Sequence, residues 1–343
     1  MANYVYLLIP YSNKVYATHI HLKFNMMEFY IGNTDRQWYD FLRTRSPEDI
    51  NFWQPGGRLK FHILKSGAPF LLRLKSPFNK IAGIGFFSSH SLLPIDFAWE
   101  IFQQRNGVES LDSFRKKINS FRNVNNSIDK HPIIGCLVLS NPVFFNETDW
   151  QPTPSDWHTN LVQGKKYDSS FGYGKLLWEK IESLLHKYRL FDHQKDLENQ
   201  FIVEEENLPN RYGSEILTRV RLGQGAFRVL ITDAYNRKCV ISGERTLPVL
   251  DAAHIKPYDQ SGPHAISNGL LLRSDIHKLF DKGYMTVTND YRIEVSNRIK
   301  QEFENGRDYY KYHGNSLLTL PNRAIDRPSN QFIDWHNRNI YKG

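Results

Sequence analysis

DAAHIKPYDQSGPHAISNGLLLRSDIHKLFD, residues 251–281, is the stretch on which the reading of this chain turns. It sets His254 on an apolar strand between small neighbours, Asn268 after a Gly- and Pro-containing loop, and His277 on a short helix that Ser274 can cap. Steps of 14 and 9 residues separate the three. A strand, a loop and a helix at that spacing can fold all three side chains onto one small polar surface.

Hydrolysis of a phosphodiester needs an attacking water, a base to take its proton, and positive charge where negative charge grows. Histidine suits the base role because its unperturbed pKa lies near neutrality, and His254 sits on rigid backbone. Asn268 is placed to bond backbone groups near His254 across the turn. His277 would point back as a metal ligand. Asp251, three residues before His254, adds the hard oxygen that a magnesium-like ion prefers. Singly, each has an ordinary reading: a core histidine, a turn asparagine, a strand-start cap. Their joint spacing favours a nuclease. His264, in the loop, reads either as an aid to a ligand or leaving group or as a solvated residue. Asp281 either supports a metal through His277 or caps the helix end.

From about Phe227 to Val287 the chain resembles the HNH family of ββα-metal endonucleases. The motifs are A-A-H-I-x-P at Ala252–Pro257, N-G-L-x-L at Asn268–Leu272 and H-x-L-F-D at His277–Asp281. The resemblance implies His254 as general base, Asn268 as loop anchor, and His277 as ligand to one divalent ion, Mg2+ or else Mn2+, Ni2+ or Co2+. Many relatives carry an acidic or histidine ligand just before the base, where this chain has Ala253; Asp251 shares the strand parity of residue 253. Relatives with a structural zinc use Cys-x-x-Cys, whereas here Cys239 is followed by Ser242.

The remainder of the chain fits a DNA-directed enzyme. Its 343 residues suit two domains, and a net charge of +8, shared by both halves, favours a polyanionic partner. Cys136 and Cys239, the only cysteines, exclude a disulfide framework and fit a reducing cytoplasm. No apolar run approaches a membrane span, and Met1-Ala2-Asn3-Tyr4 does not open a signal peptide, so a soluble cytoplasmic protein is expected.

Strands are expected at Tyr4–Ile9, Phe29–Ile31, Gly67–Lys75, Ile81–Phe87 and Ile133–Phe145, with helices at Trp38–Thr44, Pro94–Phe102, Leu111–Ser120 and Leu176–Tyr188. A polar linker is placed at 191–212, dividing a domain at 1–190 from one at 213–343. In the latter, Ser214–Arg237 is expected to be helical and Tyr284–Val295 a hairpin. Gly67–Phe87 resembles the PUA-like superfamily, which includes the EVE, ASCH and SRA domains. The order of Asn51–Pro55, Asp149–Pro152 and Gln163–Asp168 is similar to restriction endonucleases that fuse such a domain to HNH. The expected fold class is therefore α+β: an N-terminal PUA-like β-barrel with flanking helices, then the ββα-metal domain.

The resemblance implies a modification-dependent enzyme acting on double-stranded DNA and sensing a modified cytosine such as 5-methyl- or 5-hydroxymethylcytosine, or another altered base. Trp38, Phe52, Trp53 and Gln54 are candidates for a pocket around an extruded base, with core filling the favoured reading of any one aromatic. Gln163, Lys165, Lys166 and Arg228 are candidate phosphate contacts. Cutting both strands would need two copies related by two-fold symmetry, hence a homodimer. The competing readings are an HNH nuclease of homing or toxin type that cuts unmodified DNA, and a DNA-binding protein whose HNH fold has lost activity.

Overall fold

Strand β3 (Pro69–Leu74) is buried at every position, Arg73 included, and its other residues are all apolar. The structure, a computed structural model, describes residues 27–57, 61–122, 129–158, 160–161, 163–188 and 222–343. β3 lies inside a sheet built from β1 (Glu28–Thr34), β2 (Asp49–Gln54), β4 (Lys80–Pro94), β5 (Ile133–Phe144), β6 (Gln151–Pro152) and β7 (Gly164–Asp168). The strand order is β2-β5-β4-β3-β1-β7, with β6 on β4. β1 and β3 run parallel; the other pairs are antiparallel.

Both faces are covered. Phe29, Ile31, Leu71, Ile81 and Ile84 pack beneath α4 (Gly172–Lys187), which contributes Leu177, Trp178, Ile181 and Leu185. Tyr30, Phe70, Leu72 and Leu74 face Trp38, Tyr39 and Leu42 of α1 (Arg36–Arg43). Gly107, at φ +74°, closes over that face, because a Cβ there would meet the Trp38 indole at 2.1 Å. Helices α2 (Ile95–Phe102) and α3 (Leu111–Arg122) cover a third cluster that includes Ile134, Cys136 and Val138 of β5. Ser110 caps α3, its hydroxyl accepting the Ser113 N–H at 3.2 Å.

The fold is mixed α+β, and among the described residues no pairing joins β2 to β7, so the expected barrel closure is not seen there. Its long strand β4 shifts register twice against β5, between Ile84 and Phe86 and between Phe87 and Ser89. Such shifts bend a strand without requiring the sheet to close. The Tyr4–Ile9 strand, the whole linker at 191–212 and the first part of the Ser214–Arg237 helix lie outside the described residues.

The described C-terminal part includes α5 (Gln224–Ala234), which ends three residues before the expected Arg237. Asn236 and Arg237 adopt left-handed φ of +53° and +56°, which turns the chain out of the helix. Both sides of α5 are buried. Ala226 and Val229 join the cluster of α2, α3 and β5, while Phe227, Ile231 and Tyr235 enter the C-terminal core. Next come β8 (Leu250–His254), β9 (Gly269–Arg273) and α6 (Ser274–Asp281), followed by a hairpin of β10 (Met285–Val287) and β11 (Ile293–Val295). Helices α7 (Arg298–Phe303), α8 (Arg307–Tyr310) and α9 (Asn330–Asn339) complete the chain.

Candidate active site

β8 and β9 pair antiparallel in a register that sets His254 opposite Gly269 and Asp251 opposite Leu272. Gly269 belongs to a close approach between elements: a Cβ there would lie 2.4 Å from Ile231 and 2.8 Å from Phe227. The missing side chain lets α5 press onto the strand pair, and Phe227 stacks on the His254 imidazole at 4.0 Å and 11°.

Asn268 is fully buried and ties the loop to the strand end. Its Oδ1 accepts the Lys256 N–H at 2.9 Å, and its Nδ2 donates to the carbonyls of Lys256 and Pro263, each at 2.9 Å. The Ile255 N–H donates to the Asn268 carbonyl at 2.9 Å. Three of these bonds hold Ile255 and Lys256, just beyond His254, and the fourth holds the loop at Pro263.

His277 lies on α6 between two carboxylates. Its Nδ1 is 3.3 Å from Asp251 Oδ2, and its Nε2 is 3.3 Å from Asp281 Oδ2. Burial works to lower the His277 pKa, but the Asp251 hydrogen bond and the Asp281 charge outweigh it, leaving a net upward shift. The same hydrogen bond holds Asp251 below the usual carboxylate range, whereas burial raises Asp281. His254 differs: burial, with the charges of His264 and His277, lowers its pKa to about 4. One imidazole is thus kept neutral beside another drawn toward its cationic form. Ser274 does not cap α6 as expected, since Arg273 occupies the N-cap position and the Ser274 hydroxyl donates to the Val249 carbonyl at 3.2 Å.

The donors suit a small hard cation. Neighbouring ligands on an octahedral ion with bonds of about 2.1 Å stand roughly 3 Å apart, close to the Asp251–His277 separation. Among the described residues no three or more His, Cys, Asp or Glu side chains gather as a metal-holding group. Two protein donors with water and phosphate oxygens would complete the shell, as is usual for magnesium.

Residues 239–288 match the model of the HNH endonuclease family. This segment is an HNH endonuclease domain. The match spans β8, β9, α6 and β10 and contains Asp251, His254, Asn268 and His277. No curated protein matches the chain. Among solved structures, an ASCH protein from Zymomonas mobilis is similar at 8% identity and a TM-score of 0.29, covering 46% of this chain and 94% of that one. A modification-dependent restriction endonuclease, TagI, is similar at 12% identity and a TM-score of 0.27, covering 85% and 75% of the two chains.

The other predicted residues are scattered. Trp38 is 2% exposed and packs edge-on to Phe52, so these two serve the core rather than an open stacking surface. The Trp53 indole N–H donates to the Asn106 carbonyl at 2.8 Å. Gln54 lies beside His90 across Gly135, where a Cβ would stand 3.1 Å from Gln54 Oε1 and 3.0 Å from His90 Nε2. Lys165 and Lys166 belong to β7 and pair with Asp156 at 2.6 Å and Glu28 at 2.7 Å. Gln163 precedes that strand, its carbonyl accepting the Asn33 N–H. Arg228 pairs with Glu100 of α2 at 2.6 Å. Two site neighbours escaped the sequence reading: Phe227 beneath His254, and Asp49, which reaches α5 from the N-terminal sheet. The Asn268-Gly269 pair was a signal, since its glycine admits α5 as well as forming a turn.

Proposed function

We propose that the chain is a divalent-metal-dependent DNA endonuclease directed at modified DNA. The arrangement of His254, Asn268, His277 and Asp251 on one ββα unit carries this reading. His254 takes a proton from the attacking water, and its low pKa keeps it unprotonated and available at neutral pH. Asn268 fixes the strand end that presents it. Asp251 and His277 would hold the ion, which when bound supplies positive charge to the scissile phosphate and to the leaving 3′ oxygen.

The N-terminal sheet would select the substrate, sensing 5-methyl- or 5-hydroxymethylcytosine. Two observations support this: the PUA-like sequence order, and the seating of α5 in the cores of both parts. With Trp38 and Phe52 packed inside, Gln54 and Trp53 are the residues at which we place base recognition, with Gln163, Lys165, Lys166 and Arg228 near the phosphates once their ion pairs open. Among the described residues no helix is long and apolar enough to cross a membrane.

The test is digestion of one plasmid in unmodified, methylated, hydroxymethylated and glucosylated forms, with magnesium, manganese or no metal. Cleavage confined to one or more modified forms and dependent on metal is expected. Equal cutting of every form would leave a nuclease without modification dependence. No cutting under any condition would end the endonuclease reading.

A further inference from the structure

His264 sits in the loop between β8 and β9, outside the set that the HNH motifs supply. Its Nδ1 lies 2.9 Å from Nε2 of His254. The two rings are clamped from outside. Phe227 stacks on His254 at 4.0 Å and 11°, and Tyr258 stacks on His264 at 4.3 Å and 14°. Ring contacts thus fix both imidazole planes, and the nitrogens meet at hydrogen-bond distance within that clamp. Among the described residues, the bond to His264 is the one hydrogen bond that the His254 side chain makes.

A hydrogen bond between two neutral imidazoles carries a single proton, so one ring donates and the other accepts. When His254 donates through Nε2–H, its lone pair resides on Nδ1, free to take a proton. When His264 donates instead, His254 accepts at Nε2 and carries its own proton on Nδ1, with no lone pair left for water. Only the first arrangement leaves a base.

We infer that His264 is a positioning residue that holds His254 as the Nε2–H tautomer and stabilises it once it has taken the proton from water. This rests on the endonuclease reading above. In the step itself, a water O–H bond breaks and its proton bonds to Nδ1 of His254. The electron pair left on oxygen forms the new bond to phosphorus. The P–O3′ bond breaks, and the 3′ oxygen leaves with its pair and is protonated by solvent. His254 is then a cation with two N–H groups, and its bond to His264 Nδ1 becomes charge-assisted, about twice as strong as a neutral one. Because that gain arises only as the proton transfers, it belongs to kcat and not to substrate binding. His264 is suited to accept: burial lowers its pKa, against the pull of Glu48 and Asp49, so it stays neutral.

The experiment compares steady-state cleavage by wild type, His264→Ala and His264→Asn, with thermal melting and DNA affinity measured on each. Asparagine places a carbonyl oxygen near the Nδ1 position and can accept from His254; alanine cannot. His264→Ala is expected to lose about 10²-fold in kcat with KM and Kd within about three-fold, and His264→Asn to recover most of the loss. In a His254→Ala background, His264→Ala should change nothing further. A folded His264→Ala enzyme with kcat within about two-fold of wild type overturns the inference, as does His264→Asn performing no better than alanine. Nitrogen-15 histidine NMR of the wild type supplies a readout independent of cleavage and of variant folding. The Nε2–H form of His254 supports the assignment, and the Nδ1–H form overturns it. Failure of the wild type to cut any DNA with any metal is a separate result, which removes the endonuclease reading and the base role with it.

Discussion

The carboxylate of Asp49, on β2 of the N-terminal sheet, accepts the backbone N–H of Ala226 at 2.9 Å across 177 residues of sequence. It caps the first turn of α5 while pairing with Arg105. Gly223 and Gly225 make room for it, because a Cβ at Gly223 would stand 2.3 Å from the carboxylate and one at Gly225 would meet both Arg105 and Asp49. The helix so capped is the one whose Phe227 stacks on His254, giving a short physical path from the N-terminal sheet to the base.

Asp49→Ala should therefore loosen the two parts together. It takes the carboxylate from the partly buried Arg105 guanidinium, which keeps its bonds to the Ile101 and Phe102 carbonyls, and leaves α5 uncapped, a loss of about 3 kcal/mol. Thermal unfolding monitored separately by N-terminal tryptophans and by His254 NMR should show both parts shifting downward. A variant that melts like wild type would show that the contact contributes little.

His254→Ala should abolish cleavage, by about 10³-fold or more, while DNA affinity measured by fluorescence anisotropy stays within a few-fold. The side chain lies on β8 with a firm backbone, and its loss removes a group that acts only as the proton moves. Equal losses of binding and cutting in a folded protein would contradict this role.

How much of this could be read from the chain depended on range. Asp251, His254, Asn268 and His277 were visible because one strand, one loop and one helix contain them, so local spacing almost specifies their meeting. The strand within Gly67–Lys75 was likewise visible, but its burial at every position was not, because Arg73 interrupts the apolar run. The partners of α5 were not, because a helix buried on two sides carries no single stripe, and Asp49 is distant in sequence. Barrel closure was not legible for a related reason: strand patterns establish which residues pair with a sheet, while closure depends on edges that no local pattern marks. For Trp38 and Phe52 core filling was already the favoured reading over a base pocket, and Gly107 closing over the Trp38 indole accords with it.

Asn268→Ala removes three side-chain hydrogen bonds from a fully buried site and leaves the Lys256 N–H and two carbonyls without those partners. A cost of about 2–4 kcal/mol is expected. Asn268→Asp should be worse than alanine, because it keeps the acceptor for Lys256 but aims carboxylate oxygen at the Lys256 and Pro263 carbonyls. Urea denaturation ranks the three proteins. Aspartate being the milder change would show that the amide donors are not what holds the loop.

His336 makes stability depend on pH. It is 2% exposed, stacks on Phe280 at 3.8 Å, and donates from Nε2 to the Phe280 carbonyl at 3.1 Å while Nδ1 faces the Thr286 hydroxyl at 2.8 Å. Burial lowers its pKa to about 4, against about 6.5 for an unfolded histidine. Between these values the unfolded chain binds a proton that the folded one does not, so stability rises with pH there. The contribution is complete above pH ~6.5 and is lost as pH falls toward ~4, at about 3 kcal/mol for the full interval. His254, lowered to about 4 as well, adds a term of the same sign. His336→Gln should be less stable than wild type at pH 7, yet lose less on acidification, retaining the His254 share of the slope. Denaturation midpoints at pH 7, 5 and 4 decide it, and an unchanged slope in the variant would place the acid sensitivity elsewhere.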